Sequence, residues 1–177
     1  MRRFFSLVIA MGMLTAPWVL ADSGDTNTLR SADGQYQLVV PNSWQSNDFH
    51  LPNVQIGAID KPRGEYAEVI VERQEDYTDS LQQYTDAKRA TMAMSLDNPR
   101  LTNGESLKIN GQDAVRCEIH GQLPNSGVAI AYSLTVIKTK THYVQVIGWT
   151  EESRFAANRA ELESLAGGFS ETSGSGS

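Results

Sequence analysis

One cysteine, Cys117, is the whole thiol content of this 177-residue chain, so no internal disulfide can form. Histidine is nearly as scarce, with His50, His120 and His142 the three present. A zinc site needs about three or four ligands, and His120 and His142 fall at opposite ends of the strand pattern described below, roughly 30 Å apart at ~3.3 Å per residue. No metal ligand set and no cofactor is therefore expected. Neither a Gly-x-Ser-x-Gly elbow nor a Ser-x-x-Lys pair is present. No glycine-rich loop leads from a strand into a helix to cradle phosphate. Cys117 sits mid-strand between Val115 and Ile119, where burial is expected rather than the accessible, electropositive setting of a reactive thiolate. Positive charge is also short. The chain has 15 Lys and Arg against 21 Asp and Glu, a net charge of −6, which argues against nucleic acid as a partner. No catalytic residue is assigned, and the sequence motivates no enzyme.

What is present begins with an address. Met1-Arg2-Arg3, an apolar run from Phe4 to Leu20 and polar residues from Asp22 onward have the layout of a secretory signal peptide. Val19 and Ala21 fit the small-x-small rule, which places cleavage after Ala21 and defines residues 1–21 as the leader. The apolar run is at the short end for a membrane span of ~20 residues, so membrane contact is expected only through an uncleaved leader. No cysteine stands at the cut to take a lipid. Losing Arg2 and Arg3 leaves 13 basic against 21 acidic residues, net −8, in about 156 residues, enough for one domain with a real core. The expected address is the periplasm.

Residues 22–33 are polar and aperiodic and read as a flexible leader to a single domain over 34–170. Tyr36, Leu38 and Val40 alternate with polar neighbours in a first strand, which Pro41-Asn42-Ser43-Trp44 stops. Val54–Ile59 and Tyr66–Glu72 form a hairpin around Lys61-Pro62-Arg63-Gly64. From Ser80 to Leu96 the period becomes helical, with Thr78 or Asp79 as cap and Asp97-Asn98-Pro99 as the stop. Met92 and Met94 point to different sides of that helix, so core filling explains them better than a Met-rich ligand surface. A second helix is expected over Ser153–Ala166, capped by Ser153 and stopped by Gly167-Gly168. The tail, 171–177, ends in Ser-Gly repeats and is unstructured by composition.

Between the helices lies an antiparallel meander. Asn110-Gly111 between alternating apolar runs is a strong hairpin signal, since both turn residues take positive φ. Pairing Ile109 with Gln112, His120 with Val128 and Ile137 with His142 puts Val115, Cys117, Ile119, Ala129, Ala131, Ser133, Val144, Val146 and Gly148 on one face. The small residues there suit close packing of a helix. The other face then carries Arg116, Glu118, Ile130, Tyr132, Leu134, Tyr143, Ile147 and Trp149. A one-residue slip would exchange the faces. Of the second face, Arg116, Glu118, Tyr132, Tyr143 and Trp149 form the candidate interaction surface, being aromatic with mixed charge; the alternative is a covered face with Arg116 and Glu118 pairing at its edge. The fold class is α+β, a twisted antiparallel sheet flanked by two main helices in an α/β/α sandwich.

The order of these elements, with Val40-Pro41-Asn42-Ser43-Trp44 closing the first strand and Ile109-Asn110-Gly111 opening the meander, resembles the PsbP-like superfamily, and within it the DcrB-like proteins of bacterial envelopes. The resemblance spans Gln35 to Phe169 and rests on topology and turns. It implies a non-enzymatic accessory role. Similar domains serve photosystem assembly, Ran binding and effector chaperoning, and DcrB-like proteins are linked to membrane-protein biogenesis and phage uptake. No site residue transfers with it. The expected function is a periplasmic accessory or binding protein whose partner is another envelope protein. The alternatives are a small-molecule or metal-binding module and, more remotely, a hydrolase.

Overall fold

The computed structural model describes residues 25–49 and 53–172. The expected signal peptide, His50 and the last five residues of the expected tail lie outside them. In chain order the elements are β1 (Thr26–Arg30), β2 (Tyr36–Pro41), β3 (Gln45–Ser46), β4 (Val54–Asp60), β5 (Glu65–Arg73), α1 (Leu81–Ala93), β6 (Asp97–Leu101), β7 (Glu105–Ile109), β8 (Gln112–Gln122), β9 (Ala129–Lys138), β10 (His142–Glu151), α2 (Glu152–Ser164) and β11 (Phe169–Glu171). Eight strands form one antiparallel sheet in the order β3-β4-β5-β10-β9-β8-β6, with β7 pairing the other half of β8. A second sheet runs β1-β2-β11.

The Asn110-Gly111 turn forms as expected, at φ 49° and 81°, and Ile109 lies opposite Gln112. The next register does not. His120 pairs with Ala131 rather than Val128, a shift of three, because β8 continues through Gly121 and Gln122. Its turn closes late: Leu123 N–H donates to the Val128 carbonyl and Gly127 N–H to that of Leu123, with Gly127 at φ 68°. An odd shift exchanges the faces of one strand relative to its neighbour. At the following turn Thr139 N–H donates to the His142 carbonyl, so the loop is the two residues Lys140-Thr141. That shift is two, and it leaves the faces unchanged.

One face of the meander therefore combines Val115, Cys117 and Ile119 with Tyr132, Leu134, Val136, Tyr143, Ile147 and Trp149. Tyr84, Ala93 and Leu96, from α1 and the turn after it, pack on this face. The opposite face carries Arg116 and Glu118 beside Ala131, Ser133, Val144, Val146 and Gly148. Phe155 and Leu162 of α2 pack there, together with Leu29, Leu38 and Phe169 of the small sheet. Gly148 gives α2 its close approach, for an added Cβ would stand 3.1 Å from Leu162. The second layer is thus helix and small sheet together, where the sequence pattern supplied only the helix. The expected flexible leader contains β1, whose Leu29 is buried opposite Leu38.

Helix ends also differ from expectation. Ser80, not Thr78 or Asp79, caps α1, in a reciprocal box with Gln83. The helix ends at Ala93, and Asp97–Leu101 is strand, with Asn98 at φ 50° before Pro99. Met92 packs on the core and Met94 is exposed. α2 begins after Glu151 without a side-chain cap and tightens into a 3-10 turn over Leu165–Gly168.

Candidate functional site

The register separates the five expected interaction residues. Arg116 and Glu118 lie under α2, whereas Tyr132, Tyr143 and Trp149 lie on the face that α1 partly covers. Tyr143 belongs to the core: it is buried, stacks on Tyr84 at 4.3 Å and donates its hydroxyl to the Asp79 carbonyl at 2.8 Å. Tyr132 and Trp149 remain half-buried. Side chains that sequence reasoning left out join them. Trp149 stacks on Tyr66 (5.5 Å, 14°) and meets Phe49 at 5.4 Å and Tyr132 at 6.0 Å.

Strand pairing builds this aromatic tier. Tyr132, Trp149 and Tyr66 occupy one row across β9, β10 and β5, and the next row on the same face holds Leu134, Ile147, Glu68 and Gly57. Gly57 admits Phe49, whose ring would crowd any Cβ there. Glu68 sits among the rings with Oε2 buried and, among the described residues, without a hydrogen-bond partner. Burial pushes its carboxyl up, and burial followed by the charge of Glu68 pushes up the Tyr132 phenol. The result is a half-open apolar platform with one under-solvated carboxyl group.

Under α2 the charges are paired. Arg116 donates to Thr135 Oγ1 (3.1 Å), Glu163 Oε2 (3.0 Å) and the Glu163 carbonyl (3.0 Å). Arg159 bridges Glu118 and Glu163, and His120 stands between Glu152 (2.8 Å) and Glu118 (3.3 Å). The cleft beside them holds about 200 Å³, below the ~300–1,000 Å³ of small-molecule pockets. This network ties α2 to β8. His142, at the far end of the meander, contacts Glu171 at 3.2 Å and belongs to a separate group.

A third polar group lies beneath α1. Glu72 accepts hydrogen bonds from Tyr77 (2.8 Å), Lys88 (2.9 Å) and Tyr84, and Tyr84 in turn accepts one from Gln145 (3.0 Å). Burial opposes ionisation of Glu72, but the bonds from Lys88, Tyr84 and Tyr77 outweigh it and hold the carboxyl below its ordinary value. Cys117 is buried, and its thiol is pushed up to about 11 by that burial, so it is no nucleophile at neutral pH. Three carboxylates, Asp60, Glu65 and Glu161, come within metal-ligating distance of one another. Sequence reasoning sought metal ligands among histidines and passed over them, although Asp60 and Glu65 flank a turn that was recognised.

No protein-family model and no curated protein matches the sequence. Solved structures do match its fold. Cyanobacterial PsbP (CyanoP) of Synechocystis sp. PCC 6803 superposes with a TM-score of 0.60 and 17% identity, over 91% of this chain and 100% of that one. The fold is PsbP-like. The Ran-binding protein Mog1p of Saccharomyces cerevisiae shares it at a TM-score of 0.58 and 12% identity, over 84% of this chain and 96% of that one. LpqN of Mycobacterium tuberculosis, involved in cell envelope biogenesis, follows at 0.56 and 11%, over 84% and 91%. At such identities the likeness is one of fold alone.

Proposed function

We propose that the chain is a non-enzymatic accessory protein of the bacterial envelope, of the DcrB-like kind, acting in the periplasm after removal of residues 1–21. Its partner is another envelope protein, held on the tier of Phe49, Tyr66, Tyr132 and Trp149. The observation that carries this reading is Glu68 inside that tier. Aromatic side chains with a polar handle are enriched at the cores of protein interfaces, and a carboxylate with an unpartnered oxygen among them favours an incoming cation. A partner segment offering Lys or Arg between apolar residues satisfies both, through cation–π contact and charge. The excess of acidic residues steers such a segment inward. Mog1p, a Ran-binding protein, and LpqN, involved in cell envelope biogenesis, share the fold and add support for the class of role. Among the described residues no helix is long and apolar enough to cross a membrane.

A photo-crosslinking residue at Tyr66, with one at Lys108 on the far edge as control, tests the reading in cells. One covalent partner is expected from position 66 and none from 108, and it should disappear in Glu68→Gln and Trp149→Ala proteins that still unfold cooperatively. Equal capture from both positions would sink the proposal. So would Tyr132→Ala and Trp149→Ala proteins that merely unfold, with no separable effect on capture.

A further inference from the structure

We propose that Asp60, Glu65 and Glu161 form a site for a hard divalent cation, calcium by its donor set, where the β4–β5 hairpin meets α2. Asp60 ends β4 and Glu65 begins β5, paired across the turn Lys61–Gly64, so their side chains share a face. Glu161 reaches the same point from α2, and one carboxylate oxygen from each of the three lies within 4.8 Å of the others.

An acidic cluster alone would not make a site, but here two of the three carboxylates are buried and under-used. Asp60 and Glu65 are both 0% exposed. Asp60 Oδ2 and both oxygens of Glu65 have no hydrogen-bond partner among the described residues. Buried carboxylates left so are expensive, and such a group points to an ion, a water or a proton that completes it. The surrounding contacts hold the donors in place. Fully buried Trp44 donates Nε1 to Glu161 Oε1 at 2.8 Å, and the Arg63 N–H donates to Asp60 Oδ1 at 3.3 Å. The turn itself is fixed by Thr150 on the Gly64 carbonyl (2.9 Å) and Arg154 on that of Arg63 (3.0 Å). Supporting bonds of this kind orient metal ligands.

Charge and donor type select the ion. Three carboxylates and the Arg63 guanidinium, which pairs with Glu161 and stands 3.9 Å from Glu65, leave a formal charge of about minus two. The Arg63 side chain is 48% exposed and free to swing out when an ion enters. Oxygen-only donors favour hard cations, and a set of three protein carboxylates suits calcium, whereas magnesium keeps several waters and is usually held by one or two carboxylates. Arg63 thus acts as the counter-ion when no metal is bound and as the competitor of a bound metal. The site lies apart from the aromatic tier, and its loss or presence leaves the partner-binding reading unaffected.

The test is calorimetric titration of the purified full chain, stripped with EDTA, with calcium and then magnesium chloride, alongside thermal unfolding. Calcium is expected to bind one site saturably, to raise Tm and to bind more tightly than magnesium. Glu65→Gln should fold without metal and lose about tenfold or more in calcium affinity, and Arg63→Ala should gain several-fold, since it removes the competitor. The proposal is overturned if neither the wild type nor Arg63→Ala shows a saturable heat and a Tm shift at millimolar calcium, which would assign the pair to a shared proton. Unchanged calcium binding in Glu65→Gln would overturn it as well.

Discussion

Arg116 stands opposite Thr135, and its Nε donates to the Thr135 hydroxyl at 3.1 Å. That pairing directs the guanidinium to Glu163 on α2 and away from Tyr132. Arg116 is therefore a tie between helix and sheet, with only 17% of its side chain exposed. Arg116→Ala should destabilise the protein by roughly 1–3 kcal/mol, as expected when hydrogen bonds of a largely buried charged group are lost. Urea denaturation measures the loss. Crosslinking from Tyr66 should be unchanged, because the two groups lie on opposite faces.

Asn110 has two duties, and substitution separates them. Its φ of 49° forms the turn, and its side-chain amide donates to the Gly167 carbonyl at 3.0 Å, fastening the β7–β8 turn to the end of α2. Asn110→Ala should lose both, at about 1–2 kcal/mol in chemical denaturation. Asn110→Gly keeps the backbone and loses only the clamp, so its effect should be clearly smaller. Equal losses would remove the turn from this account.

Much of the frame was legible because its signals are local. Alternation gave β2, β4, β5 and the meander, Asn110-Gly111 gave one register, and the helical period gave both helices. Register across the β8–β9 loop was not legible, since Leu123–Val128 holds several possible closures and only the Gly127 conformation selects one. That single odd shift moved Arg116 and Glu118 to the other face. The short strands β1, β6 and β11 were missed for another reason: each carries little pattern of its own, and β6 and β11 are ordered by pairing with strands that are not their neighbours in the chain. Tyr66 and Glu68 joined the tier through the β5–β10 pairing and Phe49 through the room beside Gly57, neither of which any local signal specifies. The Ser80–Gln83 box, by contrast, was written in the sequence and overlooked.

Gly167 and Gly168 look alike in the sequence and differ in the structure. Both read as a helix stop, yet neither takes positive φ. A Cβ on Gly168 would collide with the Val39 carbonyl, while one on Gly167 meets nothing within 4 Å. Gly168→Ala should therefore destabilise by roughly 1–3 kcal/mol through overpacking. Gly167→Ala should be neutral or stabilising by up to about 1 kcal/mol, through the unfolded chain. Thermal unfolding of the two proteins side by side decides it, and matching losses would mean that the glycines act as a flexible stop after all.

Glu65 and Glu72 should give the metal-free protein opposing pH dependences. The Glu72 carboxyl is held below the ordinary value of 4.5, so the stability it contributes is present above 4.5 and is lost as pH falls through the lower folded value. Tyr84→Phe removes one of its donors and should move that acid transition to higher pH. Glu65 runs the other way. Burial, countered in part by Arg63 and reinforced by Asp60, raises its carboxyl above 4.5. Its contribution is complete below 4.5 and lost as pH rises through the raised folded value. In EDTA, Glu65→Gln should therefore be more stable than the wild type at pH 7, on the order of 1 kcal/mol for relieving a buried unpaired charge. The advantage should vanish towards pH 4, where the wild-type carboxyl is itself neutral. Denaturation at both pH values measures it, and a Glu65→Gln protein weaker at pH 7 than at pH 4 relative to wild type would show that Arg63 alone already satisfies Glu65.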